Sequence, residues 1–134
     1  MSGSSIDDPR KLSALIERVC DLAVTHSVPS VVAGLAAAEG DLVFPEYLNF
    51  LQAALRVEDA IFRMTRERAV IHLADVDATR ASGVLERLTG DFCDEFPSMS
   101  RPNFELRLLE VKPDAGPVRV KDVLTEIFAP RMLH

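Results

Sequence analysis

The fold is decided by a stretch in the middle of the 134-residue chain, Arg56–Leu73, which reads R-V-E-D-A-I-F-R-M-T-R-E-R-A-V-I-H-L. Apolar residues alternate with other residues in both halves of this stretch, at Ala60, Phe62, Met64 and then at Ala69, Ile71, Leu73. Such period-two alternation predicts two strands. Thr65 and three charged residues at 66–68 separate the two halves, so the stretch predicts an antiparallel hairpin with a polar tip.

Helix and strand patterns lie on both sides of this hairpin. Before it, the sequence predicts a helix that starts at Pro9 with Asp8 as its cap, a buried strand over 30–37, and a helix over about 47–56. After it, the sequence predicts a helix over 78–96 capped by Asp77, a strand with alternating Phe104, Leu106 and Leu108, a turn at 113–117 and a helix over 120–128 that stops at Pro130.

The core order is therefore strand, helix, strand, strand, helix, strand. This succession predicts an α+β fold of the ferredoxin-like type, a βαββαβ antiparallel sheet with helices packed on it. An N-terminal helix precedes the sheet and a short C-terminal helix follows it. We expect residues 1–8 to form a flexible tail and residues 9–134 to form a single domain, in which two helices cover one face of the sheet and the second face stays open.

Composition excludes several classes of protein. Apolar residues make up 48% and charged residues 27% of the chain, as in soluble globular proteins. The formal net charge of −6 disfavours nucleic acids and anionic membranes as partners. No apolar run approaches the roughly 20 residues of a membrane span, and no secretory signal is visible, so we expect a cytoplasmic protein. Cys20 and Cys93 lack metal-site spacing and are interpreted as buried thiols, with no metal or cofactor implied.

From Gly40 onward the chain resembles the GGDEF family of diguanylate cyclases. Residues 40–44, G-D-L-V-F, are similar to the helix start G-D-x-x-L of that family. Arg56 and Asp59 fall at the family's R-x-x-D, and Arg63 matches a common family arginine. Residues 70–73 and 77–88 resemble the strand and helix that follow the family signature. The resemblance spans roughly residues 10–128 and implies a GGDEF-like domain with the strand order given above.

The signature itself departs from the family. The five positions of this signature turn read Thr65, Arg66, Glu67, Arg68 and Ala69 in place of G-G-D/E-E-F. Only Glu67 keeps a family residue type, and bulky side chains replace the glycines that let backbone approach a nucleotide. The first strand, 30–37, carries no carboxylate for magnesium, and the family's F-K-x-x-N-D segment is absent before Gly40. Because phosphoryl transfer needs metal ions on the phosphates, we expect no cyclase activity.

Two candidate sites remain in the sequence. The resemblance implies that Arg56 and Asp59, with Arg63 nearby, bind cyclic di-GMP, since the arginine fork suits phosphate and guanine edges. Alternatively, Arg56 ends a helix and Asp59 pairs with a neighbouring arginine. His72 could serve as a general base or metal ligand, but a packed strand residue is the interpretation we favour.

These observations predict a catalytically inactive, bacterial-type signalling regulator that acts through protein–protein interaction. An open sheet face, to which Ile61 and Val111 would contribute, and the edge strands would supply the contact surface for a protein partner or a homodimer. The alternative is a cyclic di-GMP receptor that uses R-x-x-D.

Overall fold

The computed structural model describes residues 7–112 and 120–128, which form one antiparallel sheet and four helices. The strands are β1 (Ser30–Ala37), β2 (Ala60–Arg63), β3 (Arg68–Ala74) and β4 (Phe104–Val111). Their order in the sheet is β2-β3-β1-β4, and every neighbouring pair is antiparallel. This is the strand order of the ferredoxin-like arrangement, so the predicted fold class is confirmed.

The four helices are α1 (Pro9–His26), α2 (Val43–Ala54), α3 (Ala78–Glu95) and α4 (Val120–Ile127). The start of α2 is fixed by Asp41, whose Oδ1 accepts hydrogen bonds from the amides of Val43 and Phe44 at 2.8 and 2.9 Å. Gly40 before it has a φ of 81°, a conformation that favours glycine. Asp77 caps α3 by accepting the Arg80 amide at 2.8 Å, as predicted.

Both faces of the sheet are covered, which corrects the prediction of an open second face. Helices α2 and α3 pack on the face that includes Val31, Leu35 and Ile71. Helices α1 and α4 pack on the opposite face, which includes Val32 and Val70. The sequence pattern identified α1 as amphipathic but could not show which surface its apolar stripe covers.

The residues expected on the open face lie on different faces. Ile61 packs with the α2 and α3 core, whereas Val111 is 3% exposed and packs with α1 and α4. The predicted alternation in the hairpin is correct, but the apolar residues of its two strands lie on opposite faces of the sheet. Phe62 lies on the face covered by α1 and α4, and Ile71 lies on the face covered by α2 and α3. Strand β3 is accordingly buried at six of its seven residues, as expected of a strand covered on both faces.

Helix α4 approaches β1 closely at Gly34. A Cβ atom added to Gly34 would lie 2.7 Å from Ile127 Cβ and 2.9 Å from the Ile127 carbonyl oxygen. Glycine therefore allows the end of α4 to rest on the backbone of the strand. Cys20 and Cys93 are each of intermediate exposure, so the prediction that both are buried is wrong.

The start of α1 is tied to the edge of the sheet. The Asp7 amide donates to the Arg63 carbonyl at 2.9 Å, and the Arg63 amide donates to Asp7 Oδ2 at 2.8 Å. The first six residues of the predicted tail, the turn at 113–117 and the stop at Pro130 lie outside the described residues. No helix in 7–112 or 120–128 is long and apolar enough to cross a membrane.

Candidate ligand-binding groove

A groove of about 480 Å³ lies between the end of α2 and one face of α3. It is lined by Ala54, Leu55, Arg56, Asp59, Val76, Arg80, Gly83, Val84, Arg87 and Leu88. We call it the α2–α3 groove. Its volume falls within the range of small-molecule sites. Three guanidinium groups and one carboxylate line it, so this part of an acidic protein favours an anionic ligand with apolar surface.

Arg56 and Asp59 form a two-point ion pair at one end of the groove. Arg56 Nε donates to Asp59 Oδ2 and Arg56 Nη2 to Asp59 Oδ1, both at 2.9 Å. Arg56 Nη2 also donates to the Ala74 carbonyl at 2.8 Å, and the Ala74 amide donates to Asp59 Oδ1 at 3.1 Å. We call this set of bonds the Arg56 clasp. It fastens the loop between α2 and β2 to the end of β3.

The clasp holds both side chains in their charged forms. Burial of the Asp59 carboxyl opposes its ionisation, but hydrogen bonds from Arg56 and from the Ala74 amide outweigh burial, so the pKa of Asp59 lies below its usual value. The Asp59 carboxylate raises the pKa of Arg56. The Asp59 side chain is 2% exposed, whereas that of Arg56 is 50% exposed. The arginine is therefore the member of the pair that a ligand can reach.

Arg56 keeps part of its hydrogen-bonding capacity. Guanidinium has five N–H donors, and the clasp uses the one on Nε and two on Nη2. The two donors on Nη1 take no part in the clasp, and Nη1 forms an ion pair with Glu58 Oε2 at 3.5 Å. The interpretation of Asp59 as an internal partner of an arginine and its interpretation as a site residue are thus compatible, because the clasp presents Arg56 to the groove.

Arg63 lies outside the α2–α3 groove. Its side chain is buried, with Nη1 donating to Asn49 Oδ1 at 2.8 Å and Nη2 donating to the Pro45 carbonyl at 3.0 Å. Burial lowers the pKa of Arg63. These contacts join β2 to α2, so the structure does not bring Arg63 together with Arg56 and Asp59.

The signature turn is closed by bonds within the chain. The amides of Met64 and Thr65 donate to the Arg68 carbonyl at 3.0 and 3.2 Å, and the Glu67 amide donates to Thr65 Oγ1 at 3.2 Å. The Glu67 carboxylate accepts the Gly40 amide at 3.3 Å. The one acidic residue of the turn is therefore directed at the loop after β1.

The other candidate residues are packed or capping residues. His72 is 2% exposed, and its Nε2 is buried without a hydrogen-bond partner. Burial lowers the pKa of His72 to about 4, so the imidazole is neutral at pH 7. Asp77 caps α3. Among the residues described, no cluster of three or more His, Cys, Asp or Glu side chains could hold a metal ion.

Solved structures with the same architecture come from Pseudomonas aeruginosa. The FimX GGDEF domain superposes with a TM-score of 0.70 at 12% identity, over 93% of this chain and 86% of that domain. The fold is that of a GGDEF domain. A GGDEF-only form of TpbB, also called YfiN, gives a TM-score of 0.53 at 15% identity over 82% of this chain and 73% of its own.

PelD 158-CT from strain PAO1 gives a TM-score of 0.69 at 16% identity. The match covers 97% of this chain but only 48% of the PelD 158-CT chain, so the present sequence spans about half the length of that chain. No protein-family model and no curated protein matches the sequence.

In this domain with the GGDEF fold, sequence patterns predicted Arg56 and Asp59 on one side of the α2–α3 groove but not the α3 residues on the other side. Arg80 and Arg87 were not predicted as site residues, because 20 or more positions separate them from Arg56 and only the fold brings α3 beside the end of α2. A signal was present in their spacing. Arg80, Gly83, Val84 and Arg87 follow one helix stripe at i, i+3, i+4 and i+7, which places two arginines on one face around small and apolar residues.

Proposed function

We propose that this protein is a catalytically inactive GGDEF-fold regulator that acts in the cytoplasm through contact with a protein partner. The observation that carries the proposal is the closed signature turn, in which Glu67 bonds to the Gly40 amide and the adjacent side chains are Thr65 and Arg66. A nucleotide phosphate would meet a β-branched and a long side chain where the family has two glycines.

The chemistry of the turn supports the same conclusion. Transfer of a phosphoryl group requires metal ions that neutralise charge on the phosphates, and the protein holds each such ion through one or two carboxylates in addition to the substrate phosphates. Strand β1 contributes no acidic residue, and of the two carboxylates in the loop after it, Glu39 is exposed and Asp41 accepts two amides at the start of α2. Glu67 alone is insufficient for this coordination.

Incubation of the purified protein with GTP and Mg²⁺ tests the enzymatic part of the proposal. We expect no pyrophosphate release and no cyclic dinucleotide by chromatography. Turnover that is abolished by Glu67→Gln but retained in Glu17→Gln, a matched change at an exposed position of α1, would show that the signature turn is catalytic and would refute the proposal.

The partner contact is tested with the exposed loop beside the groove. Val57 is fully exposed next to Arg56 and is an apolar residue that a partner surface would cover. We expect a protein recovered with the wild-type chain from an extract of the source cells to be lost with Val57→Asp. Equal recovery by both chains would place the contact elsewhere.

A second function is supported by the α2–α3 groove itself. We propose that it binds cyclic di-GMP, with Arg56, Arg80 and Arg87 around the two phosphates and the apolar floor under the bases. Arginine suits this task because its planar fork binds phosphate through two parallel hydrogen bonds. The Asp59 carboxylate would hold Arg56 in position for the ligand.

Calorimetric titration with cyclic di-GMP tests the receptor function. We expect micromolar binding that weakens by about tenfold in Arg87→Ala, which removes one charge-assisted contact without touching the clasp. Arg66→Ala is the matched control, since Arg66 is exposed at the signature turn and should bind normally. Binding should also weaken at higher salt. Absence of heat in the wild type, or equal affinities in both variants, would refute the receptor function and leave the regulator proposal standing.

A further inference from the structure

Strand β4 forms a long edge of the sheet. It has eight residues, and the described part of the chain contains no strand on its outer side. The opposite edge, β2, has only four residues and is bonded to Asp7. An edge strand leaves alternate amides and carbonyls available to a further strand. Phe104, Leu106 and Leu108 also stay partly exposed although they pack against the core.

We propose that two copies of this chain join through β4, antiparallel about a two-fold axis at Leu106, and so extend the sheet across the dimer. This inference goes beyond the proposed function and does not depend on ligand binding in the α2–α3 groove. A two-fold axis perpendicular to the sheet keeps each face on its own side. In an antiparallel pair, directly opposite residues point to the same face of the sheet, whereas successive residues of one strand point to opposite faces. The two-fold axis must therefore pass through a residue and not between two residues.

The register at Leu106 matches both charge and polarity. Leu106 lies opposite the partner's Leu106, and Phe104 lies opposite the partner's Leu108 on the face covered by α2 and α3. On the other face, Glu105 lies opposite the partner's Arg107, and the symmetry repeats this pair. Opposite charges and apolar pairs at directly facing positions stabilise antiparallel strands.

Neighbouring registers lack this match. With the axis at 105 the two Glu105 side chains face each other, and with the axis at 107 the two Arg107 side chains do. With the axis at 108, Leu106 faces Glu110 and Arg107 faces Leu109. Like charges at facing positions are destabilising, and the axis at 108 would place the Glu110 side chain, which accepts the Ala78 amide at 2.7 Å, opposite an apolar residue. Among the axes from 105 to 108, only Leu106 pairs opposite charges.

A shallow cavity beside β4 fits the same arrangement. It encloses about 220 Å³ between α3 and β4, and its lining includes Leu85, Phe104 and Leu106. The partner's Leu108, opposite Phe104, would lie next to this cavity on the same face of the sheet. The dimer would therefore cover apolar side chains that a single chain leaves partly exposed.

Charge reversal tests the interface and its register together. In sedimentation velocity runs, we expect a dimer for the wild type and dimerisation weakened at least about tenfold in Glu105→Arg and in Arg107→Glu, because each creates two like-charge pairs. The double variant E105R/R107E should dimerise again. An equimolar mixture of the two single variants should form a heterodimer, since each Arg then faces a Glu. Glu17→Arg controls for net charge, and Arg87→Ala should retain the wild-type mass.

A second measurement uses the unmodified protein, in case a single variant fails to fold by circular dichroism. Hydrogen exchange of β4 amides should slow as the protein concentration rises, while exchange in β2 stays constant. A monomeric wild type, exchange in β4 that is independent of concentration, or folded single variants whose mixture and double form stay monomeric would each overturn the proposal.

Discussion

Replacement of His72 by leucine should change how the stability of the protein depends on pH. His72 lies on β3, beside Val32 and Val70, on the face of the sheet that α1 and α4 cover. Its pKa is about 4 in the folded state, because burial disfavours the imidazolium, against about 6.5 in the unfolded chain. Between these values the unfolded chain binds more protons, so stability falls as the pH falls.

The size of this effect follows from the two pKa values. A difference of about 2.5 pKa units at about 1.4 kcal/mol each corresponds to about 3 kcal/mol, which is present above pH 6.5 and lost by pH 4. His72→Leu removes both this loss and the buried Nε2 without a partner. We expect the variant to be at least as stable as the wild type at pH 7.5 and to gain on it progressively at lower pH.

Urea unfolding followed by circular dichroism at pH 7.5, 6.5, 5.5 and 4.5 measures the difference directly. Carboxylates titrate in both proteins, so only the gap between the two unfolding free energies reports on His72. A gap that stays constant from pH 7.5 to 4.5 would refute the reasoning. An NMR titration of the wild type provides an independent check, since the His72 ring should not titrate near pH 6.5.

Three further changes test contacts of the fold by urea unfolding. Gly34→Ala should lower the free energy of unfolding by about 1–3 kcal/mol, because the added methyl group would overlap Ile127. Gly83→Ala should raise it by about 0.5–1 kcal/mol, because this position on α3 has open space around it. Changes of the same sign in both variants would contradict the close approach of α4 to β1. Asp41→Ala should cost about 1 kcal/mol through loss of the cap on α2, and no change would deny it that role. Tyr47→Phe should cost about 1 kcal/mol, because the hydroxyl makes a buried 2.7 Å bond to Thr89, and a neutral result would contradict that bond.

The strands and helices, and their succession along the chain, were predictable because each element has a local sequence pattern. Alternation at residues 60–64 and 69–73 located the hairpin, and Asp77 identified the start of α3. The cover on the second face was not predictable, since an amphipathic stripe such as that of α1 does not specify its partner surface. The nearly continuous apolar run of β3 is compatible with a strand covered on both faces, but an apolar run of that length also fits other environments.

The site was predictable only where its residues are close in sequence. Arg56 and Asp59 are three positions apart, so R-x-x-D was visible, although not the bonds to Ala74 that hold it. Arg63 matched the family pattern by position, yet its place on β2 directs it to Asn49 and Pro45 in the interior. Arg80 and Arg87 reach the groove only because α3 packs beside the end of α2. Their distance from Arg56 along the chain gives no local pattern from which this packing could be predicted.

The pairing of β1 with β4 has a consequence for synthesis of the protein on the ribosome. Ser30 pairs with Val111, about 80 positions later, and α4 follows both. A nascent chain that has already made β1, β2 and β3 still lacks the neighbour on one side of its central strand and half the cover of one face. The sheet is thus completed only after β4 has emerged, and its second face is fully covered only after α4. A pause in translation before residue 104 would therefore expose apolar surface that chaperones bind.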